Sequence, residues 1–255
     1  MKLTKNISFK YFKEIKKDIK IWNLYGKIKD ENNQVLKSLS STYKDSFSKK
    51  KLSKYKKYLN IRLIGMGGSS LGAQSIYDFL QHKIKKNFLF INDLKTTQKV
   101  LNKKEKYLNL IISKSGNTLE TIANSNLLIN KNQKNIFITE NKKSYLRTLA
   151  NDLKSEVINH NNFIGGRYSV LSEVGMLPAE LMGLSSKKFR SFNKLIKNNR
   201  FINLLITNVS NIYNLHKKKK FNSIILNYDE RSTSLFNWYQ QLVAESLGKK
   251  SKGIL

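Results

Sequence analysis

The sequence predicts an α/β protein, a three-layer α-β-α sandwich around a mostly parallel sheet. Three observations predict it. Short apolar runs recur between residues 61 and 160, and each is followed by a segment of helical period. Stretches rich in glycine and hydroxyl side chains stand where two of those runs end, which is where ligands sit in parallel sheets. Only one proline, Pro178, interrupts the 255 residues.

Taken in order, residues 8–60 read as helices. In YFKEIKKDIKIWNLYGK the apolar positions Tyr11, Phe12, Ile15, Ile19 and Trp22 fall at helical spacing opposite a lysine-rich face. That pattern suits a helix covering a core, with a helix lying on a membrane surface as the alternative. IRLIG (61–65), NFLFIND (87–93), YLNLIIS (107–113) and NIFITE (135–140) read as strands, and SEVINH (155–160) as one more. The helices between them are SSLGAQSIYDFLQHK, TTQKVLNK, TLETIANSNLLIN and SYLRTLAND. A second unit starts after Gly183, with a helical stretch (187–217), a strand NSIILNY (222–228) and a helix through FNWYQQLVAES. The expected division is an N-terminal helical segment (1–55), a first α/β domain (56–184) and the beginning of a second (185–255). The closing KKSKGIL reads as the opening of another element, so the sequence is expected to be a fragment or a short form.

Composition excludes several classes of function. There is no cysteine, hence no disulfide framework and no thiolate metal site. His82, His160 and His216 are scattered without metal-ligand spacing, so no metal is expected. No run of apolar residues is long enough to span a bilayer. The start, MKLTKNISFKYFKEIKKDIK, lacks the apolar centre of a secretion signal, and a cytoplasmic protein without a membrane partner is expected. Net charge is +31, yet only six of the 48 basic residues are arginine, the side chain suited to bidentate phosphate and guanine contacts. The lysines are spread along the chain beside abundant asparagine and isoleucine. This reads as a general compositional bias, with no nucleic-acid partner; the positive field still favours a small anionic substrate.

Two loops carry chemistry. GMGGSSLG, Gly65 to Gly72, lies between strand and helix: its glycines allow close backbone approach, and free N–H groups at the helix start favour an anion. SKSGNT, Ser113 to Thr118, offers three hydroxyls, a lysine and an amide in the same position one strand later. Together they suit a phosphate cradle. The competing explanation for Ser113 and Thr118 is helix capping. A rival for the first loop is a dinucleotide fingerprint, Gly65-x-Gly67-x-x-Ser70 with Asp93 as the ribose acid. Two further segments stand apart. FIGGRYSVLSEVGMLPAELMG (163–183) presents Arg167 after a double glycine, where it can hold negative charge or form a surface ion pair. NWYQQLVAESLGK (237–249) places Gln241 and Glu245 four apart on one helix face, and a carboxylate there can act as a general base.

In order, GMGGSSLG, SKSGNTLET, GGRYSVLSEVGMLP and WYQQLVAESLGK resemble the motifs of the phosphoglucose isomerase family, over most of residues 60–255. SKSGNTLET is shared more widely among sugar isomerase (SIS) domains. The resemblance implies two SIS-type α/β domains and a homodimer. It implies aldose–ketose interconversion of glucose 6-phosphate and fructose 6-phosphate through a cis-enediolate, in glycolysis and gluconeogenesis, with no metal or organic cofactor. It implies that Gly68 and Ser69 contact the sugar and that Ser113, Lys114, Ser115 and Thr118 bind phosphate. Arg167 then stabilises the enediolate, Glu245 carries the proton between C1 and C2, and Gln241 contacts substrate. The family also opens the sugar ring with a histidine and a lysine that lie after the glutamate motif, and the sequence stops ten residues past Glu245, before either of those two positions. The second function class is therefore a phosphosugar-binding module without turnover.

Overall fold

Five runs of isoleucine, leucine and phenylalanine form the strands of one sheet: β1 (Asn60–Ile64), β2 (Asn87–Ile91), β3 (Leu108–Ile112), β4 (Lys134–Thr139) and β5 (Glu156–Asn159). The structure, a computed structural model, describes residues 18–94 and 106–248. The expected helix TTQKVLNK, the first apolar positions of the N-terminal helix and the closing KKSKGIL lie outside the described residues.

Every neighbouring pair of strands is parallel, in the order β2-β1-β3-β4-β5. All of β3 is buried, and so is all of β4 after its first residue. Burial on both faces is why these strands read as unbroken apolar runs rather than as alternating patterns. Alternate residues serve opposite faces. Leu63, Leu110, Ile112, Ile136 and Ile138 pack with Ile76, Val174, Leu177 and Leu181. Ile64, Ile111 and Phe137 pack with Leu128, Leu146 and Ala150. The first face is covered by α2 (Leu71–Leu80) and α5 (Glu173–Leu181), the second by α3 (Leu119–Leu128) and α4 (Tyr145–Asp152). These are the three layers expected.

The strand order fixes where a ligand sits. From β1 the chain moves to β2 on one side and then returns to β3 on the other. In open parallel sheets, ligands bind outside the carboxyl ends of the two strands at such a reversal. Here those ends are Ile64 and Ile112, directly before the two loops singled out by composition. A further helix, α7 (Thr233–Leu247), lies against α2, where Ser75 Oγ donates to the Ser234 carbonyl at 2.7 Å.

Residues 18–31 and 194–222 make a separate unit. Its helices are α1 (Ile19–Asp30), capped by Asp18, and α6 (Asn199–Lys217), capped by Asn198. Ser210 Oγ accepts the Asp18 N–H at 3.1 Å, and Ile202 and Ile206 are buried.

One expected strand is absent: residues 222–228 are irregular. Ile224, Leu226 and Tyr228 are 84, 72 and 94% exposed, and no backbone hydrogen bond joins 223–228 to another described residue. The composition is that of a buried strand, but a strand also needs a neighbour to pair its N–H and C=O groups. Exposed, unpaired and apolar, the segment is a template for association. The protein is expected to self-associate as its concentration rises, and the pair Ile224→Lys and Leu226→Lys to suppress this. Light scattering coupled to size exclusion checks it; an unchanged mass distribution in the double variant contradicts it.

Candidate active site

The first loop leaves β1 through Gly65, whose N–H donates to the Ile91 carbonyl at 3.1 Å. Gly67 to Ser69 form a single 3-10 turn, with Gly67 at φ +51°, a conformation that glycine adopts without steric cost. Gly68 is buried against the segment that carries Arg167: a Cβ there would lie 2.3 Å from the Gly166 carbonyl. Ser169 Oγ donates across the same contact to the Gly68 carbonyl at 3.2 Å. Ser69 ends the turn, half-buried, with Ser70 between it and α2.

The second loop leaves β3. Ser113 Oγ lies 2.9 Å from Thr118 Oγ1 and accepts the Gly116 N–H at 3.2 Å. Ser115 Oγ accepts the Asn117 N–H at 3.2 Å, and Gly116 turns the chain at φ +68°. Thr118 holds the capping position of α3, but its hydroxyl makes no cap hydrogen bond and faces Ser113 instead. Capping therefore does not account for these hydroxyls. The start of α4 holds the loop from outside: Leu146 N–H donates to the Gly116 carbonyl at 3.0 Å and Tyr145 N–H to Asn117 Oδ1 at 2.9 Å.

Lys114 does not point its charge into the loop. Its Nζ donates to the Asn162 carbonyl at 2.8 Å and lies 3.4 Å from Glu140, which Lys142 meets at 2.9 Å on its other oxygen. Lys114 thus ties the second loop to the segment before Arg167. Burial pushes the Glu140 carboxyl up, but hydrogen bonds from Lys142 and Lys114 outweigh it, and the net shift is below the ordinary value. A depressed carboxyl contributes stability above its unfolded pKa and loses it as pH falls through the lower, folded value. Acidification below the ordinary value of 4.5 is therefore expected to loosen residues 113–118, and Glu140→Gln to flatten that dependence. Amide exchange of the loop against pH checks it, and identical profiles for the two proteins contradict it.

The third segment brings the charged groups together. Gly166 to Leu171 form a 3-10 turn. Arg167 Nε donates to Ser246 Oγ at 2.8 Å, and its Nη1 lies 3.5 Å from Glu245 Oε2. Gln241 Nε2 donates to Glu245 Oε1 at 2.7 Å. The same Gln241 reaches over the first loop, where a Cβ on Gly67 would lie 2.8 Å from its Nε2. Its Oε1 is buried without a partner among the described residues, an acceptor left without a donor. Trp238 Nε1 donates to the Arg167 carbonyl at 3.2 Å, and Tyr168 Oη lies 2.8 Å from Ser246 Oγ.

The expected site residues therefore fall into two groups. Gly68, Arg167, Gln241 and Glu245 meet at the end of β1, while Ser113, Ser115 and Thr118 form the loop at the end of β3, with Lys114 on its outer side. Ser246, Trp238 and Tyr168 were not foreseen. Ser246 lies in the same helical motif, one residue past the carboxylate, and its hydroxyl alone gave no signal.

The match to known proteins decides the family. Residues 26–253 match the family model described as phosphoglucose isomerase. The chain belongs to the phosphoglucose isomerase family. Glucose-6-phosphate isomerase of Methanocaldococcus jannaschii is 33% identical over 231 residues, which cover 83% of this chain and 57% of that protein. The Acholeplasma laidlawii enzyme of the same name is 32% identical over 76% of this chain and 52% of its own length. The Campylobacter jejuni one is 34% identical over 75% and 50%. The chain thus spans about half the length of these curated relatives. A hypothetical protein of Thermus thermophilus shares the fold, with TM-score 0.74 over 93% of this chain and 62% of that one, at 22% identity. Membership of the phosphoglucose isomerase family, expected from the four motifs, is confirmed, and the dinucleotide-binding alternative falls away with it. Among the described residues no helix is long and apolar enough to cross a membrane.

Proposed function

We propose that this chain carries the phosphosugar cradle and the proton-transfer pair of a glucose-6-phosphate isomerase. The observation that supports this most directly is the convergence of three separate motifs on one crevice, with Arg167, Gln241 and Glu245 joined by hydrogen bonds of 3.5 and 2.7 Å. In this reading the phosphate sits on the hydroxyls of Ser113, Ser115 and Thr118 and on the backbone N–H groups opening α3, an arrangement suited to an anion. Lys114 holds the loop in place from its outer side through Glu140 and the Asn162 carbonyl. The sugar runs toward Gly68 and Ser69, and a sugar hydroxyl donates to the unpartnered Gln241 Oε1.

Glu245 removes the proton from C1 of the open-chain ketose and returns it to C2, giving the aldose. Arg167 stabilises the negative charge that develops on the enediolate oxygen between these steps. A general base contributes about 10²–10⁴-fold, and fixed donors aimed at developing charge contribute at least as much. Phosphate binding far from the reacting carbons holds them in register. Residues 56–184 form the first SIS-type domain, with α7 packed against its α2, and the full-length protein is a homodimer acting in the cytoplasm.

Calorimetric titration tests the cradle. Fructose 6-phosphate is expected to bind far more tightly than fructose, and the pair Ser113→Ala and Thr118→Val to weaken it by roughly 10–100-fold, the cost of lost hydrogen bonds to a charged group. Equal affinity for both sugars, or an unaffected double variant, contradicts the proposal.

A further inference from the structure

The segment carrying Arg167 is closed at its base by a buried pair that the proposed chemistry does not use. His160 follows β5 and Glu173 opens α5; they are 3 and 1% exposed. His160 Nδ1 lies 2.7 Å from Glu173 Oε1, and the Asn161 N–H donates to that same oxygen at 2.7 Å. Tyr43 Oη donates to Oε2 at 3.2 Å. On its other side, His160 Nε2 lies 3.2 Å from the carbonyl oxygen of Ile164. That carbonyl can only accept, so Nε2 carries a hydrogen, and a carboxylate at Nδ1 requires a second one there. Behind Tyr43, Arg190 stacks 4.9 Å from its ring and donates to Asp45 at 2.9 Å. The charged groups around Glu173 are therefore His160 and, one layer out, the matched pair Arg190–Asp45. Burial raises the Glu173 carboxyl, but His160 and the Asn161 N–H outweigh it, and the group is held below its ordinary value.

Ile164 is three residues from Arg167, and the chain between them is Gly165-Gly166, which has little stiffness of its own. We propose that the His160–Glu173 pair is a positioning device for Arg167: it clasps both ends of the 161–172 segment and fixes Ile164, so that the double glycine presents the guanidinium to Glu245. This rests on the proposed function only in assigning Arg167 its role.

Glutamine at 173 cannot maintain the clasp. With its carbonyl oxygen toward His160 and Asn161, a neutral imidazole can donate to Ile164 or from Nδ1 but not both, and with its amide turned toward His160 the Asn161 N–H loses its acceptor. The test compares Glu173→Gln with the unaltered chain by hydrogen–deuterium exchange and mass spectrometry. Residues 163–170 are expected to exchange roughly tenfold faster or more, the factor that one buried unpaired donor corresponds to, with β1, β3 and β4 unchanged. The indole signal of Trp238, which donates to the Arg167 carbonyl, is expected to shift in a Trp22→Phe background. In proton exchange on fructose 6-phosphate, Glu173→Gln is expected to lower kcat per folded molecule, and to have no further effect once Arg167 is alanine. A merely structural role would lower the rate in both backgrounds. Unchanged exchange of 163–170, or a full additional loss in the Arg167→Ala background, overturns the proposal. If the unaltered chain does not exchange substrate protons at all, the functional reading fails while loop exchange and the Trp238 signal still decide the clasp. Should Glu173→Gln not fold, His160→Gln, which keeps the carboxylate, is read in the same way.

Discussion

Glu245→Gln is expected to slow proton exchange on fructose 6-phosphate by roughly 10²–10⁴-fold, the contribution of a general base, while phosphosugar binding survives. The substitution is nearly isosteric. One carbonyl oxygen remains for the Gln241 amide or for Arg167, which lie 2.7 and 3.5 Å from the two carboxylate oxygens. The Ser113–Thr118 loop stands on β3 and α3 and makes no contact that depends on α7 among the hydrogen bonds of its own residues. Binding and proton transfer should therefore separate cleanly. Calorimetry on the variant, beside its exchange rate in heavy water, checks both halves. An unchanged exchange rate places the base elsewhere; loss of binding together with exchange points to a collapsed site.

The second large effect comes from a single methyl group. Alanine at 68 places its Cβ 2.3 Å from the Gly166 carbonyl carbon and oxygen and 2.7 Å from the Arg167 nitrogen. Carbon atoms settle near 3.5–4.0 Å, so one of two backbones must move by about 1 Å. Neither is a flexible side-chain end. The expected cost is about 1–3 kcal/mol of stability, together with roughly 10²-fold in turnover from displacing Arg167. Gly166→Ala provides the contrast. Nothing lies within 4 Å of a Cβ there, and that variant is expected to melt as the unaltered chain does. Thermal melts of the two proteins check the pair; equal melting temperatures contradict the contact at Gly68.

How far the sequence could be read depended on what each feature requires. The sheet strands were legible because each is an apolar run long enough for one strand, and β1, β3 and β4 each lead on to a helix. The same criterion failed at 222–228, since an apolar run specifies burial and not the presence of a neighbouring strand. The two loops themselves were legible because glycines and hydroxyl residues cluster at the ends of β1 and β3, where the backbone turns tightly at Gly67 and Gly116. The partners of Lys114 were not legible, because Glu140 and Asn162 come from other loops. His160 passed as one of three scattered histidines: its partner Glu173 is 13 residues away and reads as an ordinary acid in the first turn of a helix. Chain folding makes that pair, and spacing carries no trace of it.

This chain itself is expected to assemble a working proton-transfer site at the ends of β1 and β3. The most direct measurement is fructose 6-phosphate incubated with the 255-residue chain in heavy water and followed by NMR. Deuterium is expected at C1 of the ketose and at C2 of any glucose 6-phosphate formed, and at neither with Glu245→Gln. Bound fructose 6-phosphate that keeps its C1 protons would contradict it, leaving a cradle that holds phosphosugar without the chemistry assigned to Arg167 and Glu245.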